Sequence, residues 1–443
     1  MTNPGTSVPA TNFFAIRPRM SRFQKIVGAG VAACSMAAAT APAVGPVFQP
    51  SGPEAAAFGE AQHFPAGDRA TWQEAPYLVG SYSRYDTIFP THRVARGSSP
   101  WNFRRSQKEP EIRYEFGGQT HPLDHYLAHF PVTGILLLQG DTILLERYQY
   151  DRTDTDRFMS ASMAKSVMSL LVGIALEEGH LKSLEDPAAR YVPELKDSLY
   201  GQTSIRSLLQ MSSGIEWDRE VNGVKDNVNT EKLIDGMFDP KANPLALVAA
   251  SNHRAFPPDT HFDYSAGDNE ATALVLKRAT GKSLAEYLTA KIWQPIGAEA
   301  DATWWADRSG LEFPSSGFNA VLRDYARLGR LLAYEGAWNG KQIVPKAYVL
   351  AGTTNRPEDR HLLPGAPTPY YGYGYQIWTL PGSRRMFVFR GANSQYVFVD
   401  PWSKLVLVQT AVRSEGADAV NGKSESLALW LAMVKQFGSE ARN

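Results

Sequence analysis

The sequence predicts an α+β fold: one antiparallel sheet flanked by helices, with an α-rich domain inserted between the sheet's two halves. Three observations carry this. An N-terminal strand pair, Thr133 to Gln139 and Thr142 to Tyr148, meets at Gly140-Asp141 and reads as a β-hairpin. Near the C-terminus strand-like runs recur at Tyr373–Leu380, Arg385–Arg390, Tyr396–Asp400 and Leu405–Ala411. Between these groups, residues 184–330 show helical patterning and little strand signal.

The hairpin is followed at once by Phe158 to Gly179, the strongest helix signal in the chain. Met163, Val167, Leu170, Leu171, Ile174 and Leu176 recur at mostly three- and four-residue steps, which predicts one buried stripe, and Gly179 is a stop signal. Ser162 and Lys165 lie near the start of this helix, one turn apart on one face. The first free helical N–H groups and the positive end of the dipole gather there. A serine is a poor nucleophile until a neighbour takes its proton, and a lysine amine at this spacing can do so. Such a short motif also arises by chance, so its weight comes from its place at the buried mouth of a helix.

Further helices are predicted at Ser204 to Gly214, Glu270–Thr280, Ser283–Trp293, Ala320–Leu332 and Leu427–Phe437. Trp72 to Glu115 is irregular and aromatic-rich, and reads as a wrap over the main domain. His121, His125 and His129 repeat at four-residue steps. That spacing suits a metal, but without a matched acidic ligand it suits a solvated helix face starting at Pro122 better.

Composition narrows the function classes. The 443 residues carry 45 Lys plus Arg against 45 Asp plus Glu, so no electrostatic footprint for nucleic acid or an anionic membrane exists. Ten tryptophans within 11% aromatics suit a protein that lines clefts with flat side chains. The single cysteine, Cys34, excludes an intrachain disulfide and a cysteine-based metal site. It falls in residues 1–45, where Arg17, Arg19, Arg22 and Lys25 precede a short apolar run and then small residues, the layout of an export signal. Met20 would be a more usual start. Val31-Ala-Ala-Cys34 resembles the lipobox of bacterial lipoproteins, which would tether the mature protein through Cys34; the alternative is cleavage near Ala43. Residues 46–75 read as a Pro/Ala/Gly-rich linker, and 76–443 as the functional domain.

An ordered set of motifs then identifies a resemblance. Ser162-x-x-Lys165, Leu208-Leu-x-Met-x-Ser-Gly214, Phe262-x-Tyr264-Ser, Asp324-x-Ala-Arg-x-Gly-Arg330 and Arg390-Gly391 together resemble the class C β-lactamase and esterase-type serine hydrolases. Ile292-Trp-Gln-Pro-Ile-Gly-Ala-Glu and Asp301-Ala look most like the 6-aminohexanoate-dimer hydrolases within that group. The resemblance implies the β-lactamase/transpeptidase-like fold and an acyl-enzyme on Ser162, helped by Lys165. It implies that Tyr264 shuttles a proton; a phenol ionises near about pH 10 in water, so it needs a cation beside it to act near neutrality. It also implies an oxyanion hole from the N–H groups of Ser162 and Ala392, beside Gly391. It implies no metal or organic cofactor, and a small amide or ester as substrate.

Two departures bear on substrate. Position 266 is alanine where β-lactamases carry the asparagine of Tyr-x-Asn, and Asn269 lies three residues on. The usual Lys-Thr-Gly reads Phe389-Arg390-Gly391, and the Arg390 fork suits either a substrate carboxylate or a structural partner. Both weaken β-lactam hydrolysis and leave esterase or linear-amidase activity; a penicillin-binding β-lactamase or D-Ala-D-Ala carboxypeptidase is the alternative within the class. An inactive binding or sensory module is the alternative from another class. Plainer readings stand beside each residue: Ser162 as a helix cap, Lys165 as a surface lysine, Tyr264 as a core tyrosine, and Trp217, Trp304 and Trp305 as core.

Overall fold

The computed structural model describes residues 44–221, 224–239, 241–307 and 310–439. The basic and apolar segments of the export signal, Met20 and Cys34 lie outside them. The predicted hairpin forms as β1 (Val132–Gln139) and β2 (Thr142–Tyr148), with Gly140 at φ 54° supplying its turn. The predicted patterns form helices, among them α1 (Met163–Glu177), α2 (Ala266–Thr280), α3 (Leu322–Ala333) and, after the late strands, α4 (Glu425–Phe437), with shorter ones at Ile205–Leu209 and Leu284–Leu288. The late strands are β3 (Phe387–Gly391), β4 (Gln395–Asp400) and β5 (Leu405–Ala411).

The two ends of the chain close one sheet. β5 runs antiparallel to β1, with Leu405 opposite Gln139 and Ala411 opposite Val132. The order across the sheet is Val47–Phe48, β2, β1, β5, β4, β3, Trp378–Thr379, Gly372–Tyr373. Every residue of β5 is buried, since helices cover both faces and a continuous apolar run is what such a strand needs. Leu405 and Leu407 share a core with Trp430 and Met433 of α4, while Val406 and Val408 share another with α1 and α3.

The Asp324 motif turns out to be a joint of this packing. Gly329 of α3 faces the sheet so closely that a Cβ would lie 2.5 Å from Val406 Cγ1 and 2.9 Å from Val397 Cγ1. Asp324 accepts the N–H groups of Glu299 (3.0 Å) and Ala300 (3.1 Å) and one from Arg327 (2.9 Å). Burial holds its carboxyl up near about 6 in spite of Arg327.

Several segments differ from expectation. Residues 46–75 are not a free linker: Val47–Phe48 pairs parallel with β2, and buried Phe58 and Phe64 pack edge-on against Tyr150. Phe158–Met159 is strand rather than helix, because its backbone pairs with Asn319 and Ala320. It joins Thr91–Val94, Ala302–Trp305 and Phe318–Ala320 in a second, four-stranded sheet, so the inserted region carries strands at its C-terminal end. Thus Trp72 to Glu115 is structured, with a helix at Leu78–Ser83 as well as that strand. The run from Tyr373 to Leu380 breaks into two short strands that reverse through Gln376 at φ 56°. His121 stands on the strand Gln119–Pro122, and the helix begins only at Leu123.

Gly329→Ala tests the helix–sheet contact. Overpacking there is expected to cost about 1–3 kcal/mol, read as a lower urea midpoint at an unchanged slope.

Candidate active site

The second sheet hands the chain to α1 through a sharp turn. Ser160 N–H donates to Phe318 O at 2.8 Å, and Ser160 O accepts from Met163 N–H at 3.1 Å. Between them Ala161 adopts φ 44°, a left-handed conformation that an alanine holds only when its surroundings enforce it. Ser162 follows as the N-terminal cap residue of α1, half-buried, with its side chain making no cap bond. Lys165 is 4% exposed; its Nζ lies 3.1 Å from Ser162 Oγ and donates at 2.9 Å to Ser315 O. Among the described residues no carboxylate pairs with Lys165.

Tyr264 approaches from the other side. Its ring centroid is 4.9 Å from Lys165 Nζ, and the ring packs on Phe262, Tyr373 and Trp378. The Leu208–Gly214 motif holds this segment in place. Asp263 N–H donates to Met211 O at 2.8 Å, and Ser213 Oγ donates to Asp268 of α2 at 2.7 Å. Gly214 (φ 70°) passes so near Phe256 that a Cβ would sit 1.9 Å from its carbonyl oxygen. Lys225 closes the outer side through an ion pair with Asp263 and a 3.2 Å bond to Tyr264 O. Asp268 is fully buried, and desolvation pushes its carboxyl up to about 7 despite the Ser213 bonds.

Gly391 ends β3 directly over the serine turn. A Cβ there would lie 2.4 Å from Ser160 O and 2.9 Å from Ala161 Cβ, so only hydrogen fits. The next residue, Ala392, and Ser162 line one cavity of about 320 Å³. Asn393 turns through φ 56° and donates to Tyr82 Oη at 2.7 Å. Burial raises the Tyr82 phenol to about 12, against the pull of that bond, so it stays neutral.

The structure thus brings Ser162, Lys165, Tyr264, Gly391 and Ala392 together, and two candidates fall elsewhere. Arg390 donates to Ala419 O and stacks on Tyr371 (4.3 Å) and Trp378 (5.0 Å), which makes it structural and not part of the cavity lining. Asn269 is fully buried in α2, outside that lining, with neither amide atom hydrogen-bonded. Trp305 lines the cavity, whereas Trp217 and Trp304 are core. His125, His129 and Glu425 place their ligand atoms within 4.8 Å of one another at the start of α4. There His129 Nε2 meets Glu425 at 2.8 Å, and His121 stacks on His125 at 4.0 Å. A larger hollow of about 530 Å³ between Phe116 and α4 holds a serine, Ser424, that is engaged in capping that helix. Ser315, Tyr82 and Asn393 were missed in the sequence. The first acts through its carbonyl, which no side-chain pattern reports, and the aromatic density around Tyr82 was visible without its destination.

Comparison with known proteins now decides the family. The family profile described as beta-lactamase matches residues 123–428. The chain belongs to the β-lactamase family. Its fold is the β-lactamase/transpeptidase-like one, and the family membership supports a serine hydrolase. The chain is 26% identical over 345 residues to the 6-aminohexanoate-dimer hydrolase of Paenarthrobacter ureafaciens, covering 76% of this chain and 86% of that one. A Bacillus anthracis structure named "Putative 6-aminohexanoate-dimer hydrolase" superposes with a TM-score of 0.72 at 24% identity, over 82% of this chain and 96% of that one. EstCE1, a hydrolase with promiscuous acyltransferase activity, shares the fold at a TM-score of 0.53 and 16% identity, over 68% and 93% of the two chains.

Asp268 gives this β-lactamase relative a testable pH signature. Its carboxyl titrates at an ordinary 3.8 when unfolded and at about 7 when folded. Its contribution to stability is therefore complete below about pH 4 and is lost as pH rises through 7. Asp268→Asn removes that loss, so the difference in Tm between variant and wild type is expected to move in the variant's favour by about 2 °C or more from pH 5 to 8.

Proposed function

We propose that Ser162 is the nucleophile of a hydrolase that cleaves small amides or esters through an acyl-enzyme. The single observation that carries this is the 3.1 Å contact between Lys165 Nζ and Ser162 Oγ at the edge of a cavity that Ala392 also lines. Ser162 Oγ attacks the substrate carbonyl carbon as its proton passes to the Lys165–Tyr264 pair. The carbonyl oxygen takes the negative charge between the N–H groups of Ser162 and Ala392. Collapse of this intermediate breaks the bond to the leaving amine or alcohol, which receives the proton from Tyr264. Water then attacks the ester carbonyl, gives its proton to the same pair, and releases the acid and Ser162.

The linear-amide branch is favoured over β-lactam hydrolysis by two residues. Position 389 is a fully buried phenylalanine where the penicillin-recognising motif has lysine, and Arg390 points to Ala419. The relative from Paenarthrobacter ureafaciens, a 6-aminohexanoate-dimer hydrolase, makes that dimer the first amide to try. Export, and a tether through Cys34, are supported by the sequence alone.

The test is a panel of p-nitrophenyl acetate, 6-aminohexanoate dimer, nitrocefin and a D-Ala-D-Ala peptide. Wild type is expected to turn over the ester or the linear amide, and Ser162→Ala to lose about 10⁴-fold or more in kcat/KM. Lys165→Ala and Tyr264→Phe should each lose about 10²-fold or more. Equal rates for wild type and Ser162→Ala would remove Ser162 as nucleophile.

A further inference from the structure

The cavity beside Ser162 is walled by aromatic rings that brace one another. Trp72 meets Tyr85 at 5.5 Å and Phe89 at 5.6 Å. Trp305 then joins Phe89 (5.2 Å), Phe238 (5.5 Å) and Phe313 (5.1 Å) into one continuous wall. These contacts, edge-to-face at Trp72 and at Trp305–Phe313 and tilted at the other two, restrain the rings, so the chamber is preformed. Its two charged lining residues, Arg69 and Asp235, are both exposed, and the Arg69 guanidinium lies flat on Phe238 at 3.6 Å. The chamber therefore offers apolar surface inside and keeps its charges in water.

Which half of a substrate it takes follows from what lines it. Ser162 and Ala392 do, whereas Lys165 and Tyr264 do not. A leaving group must sit against its proton donor, on the Tyr264 side, while the acyl group extends away from it. Much of the wall also comes from residues 69–89, which precede the family match at 123–428.

We propose that this chamber is the acyl-binding site, and that it selects amides and esters whose acyl group carries a medium-length aliphatic chain or an aryl ring directly behind the carbonyl. This rests on the serine-hydrolase reading above. A volume of about 320 Å³ suits a chain of hexanoyl to octanoyl size. Each methylene moved from water to an apolar wall is worth about fourfold, and the gain appears in kcat/KM.

The test measures kcat/KM for p-nitrophenyl acetate, butyrate, hexanoate and octanoate on the full chain, on Trp72→Ala and Phe238→Ala, and on Ser162→Ala. Wild type is expected to prefer hexanoate over acetate by about tenfold or more. That ratio, taken within one protein, should fall about fivefold or more in each wall variant. Phe238→Trp, which narrows the chamber without emptying it, should move the optimum to a shorter chain, and this arm holds if an alanine variant fails to fold. A flat wild-type profile, or a rising one that all the wall variants keep, overturns the acyl-chamber proposal while acetate hydrolysis still depends on Ser162. Acetate hydrolysis that survives in Ser162→Ala overturns the nucleophile and the chamber together.

Discussion

A buried lysine whose partners among the described residues are oxygen dipoles and a ring face is the constraint around which the site is arranged. Taking the Lys165 side-chain nitrogen out of water is costly unless hydrogen bonds replace its hydration. The replacements are the Ser162 hydroxyl, the Ser315 carbonyl and, at 4.9 Å, the face of Tyr264. Each of these is delivered by a different part of the chain, so satisfying one buried side chain aligns three segments. Ser315 lies in the connection between Ala302–Trp305 and Phe318–Ala320, and Phe318–Ala320 pairs with the strand that leads into the Ser162 turn. The small second sheet is thus the frame that sets the distance between Ser162 and Lys165.

Close approach, rather than chemistry, accounts for the glycines in the recognition motifs. Gly391 lets β3 lie on the Ser160–Ala161 turn, Gly214 lets its loop pass the Phe256 carbonyl, and Gly329 seats α3 on the sheet. At these positions a Cβ would lie 1.9 to 2.5 Å from backbone or core atoms, far inside van der Waals contact. Polar motif residues do related work: Ser213 and Asp268 tie the loop to α2, and Asp324 with Arg327 ties α3 to the 299–300 turn. Family signatures of this type record the geometry that a reacting serine needs around it.

Much of the fold was legible in the sequence because it rests on periodicity and local turns. The hairpin at Gly140, the α1 stripe and β5 all follow from spacing that burial on a sheet or helix face demands. Phe158–Met159 escaped because a strand two residues long is defined by its partner, and local helical pattern says nothing of that partner. Ser162, Lys165, Tyr264, Gly391 and Ala392, singled out through ordered motifs, lie near one another in the fold. Arg390 and Asn269 were misplaced since side-chain direction at a strand end, or on a buried helix, depends on tertiary packing. Ser315 acts through its backbone, and the wall residues are ordinary aromatics until the fold gathers them.

The segment before the family match does more than cover the domain. Tyr82, on the helix Leu78–Ser83, receives the Asn393 side chain one residue beyond Ala392. The same helix presents Tyr82 to the cavity and packs it against Trp72. On the acyl-chamber proposal, a group bound against that wall would touch the element that holds Asn393. Binding energy from a part of the substrate remote from the scissile bond can in this way be spent on holding the carbonyl oxygen in place. On the acyl-chamber proposal, the shared motifs would set which bond is attacked, while residues 69–89 would set what lies behind it.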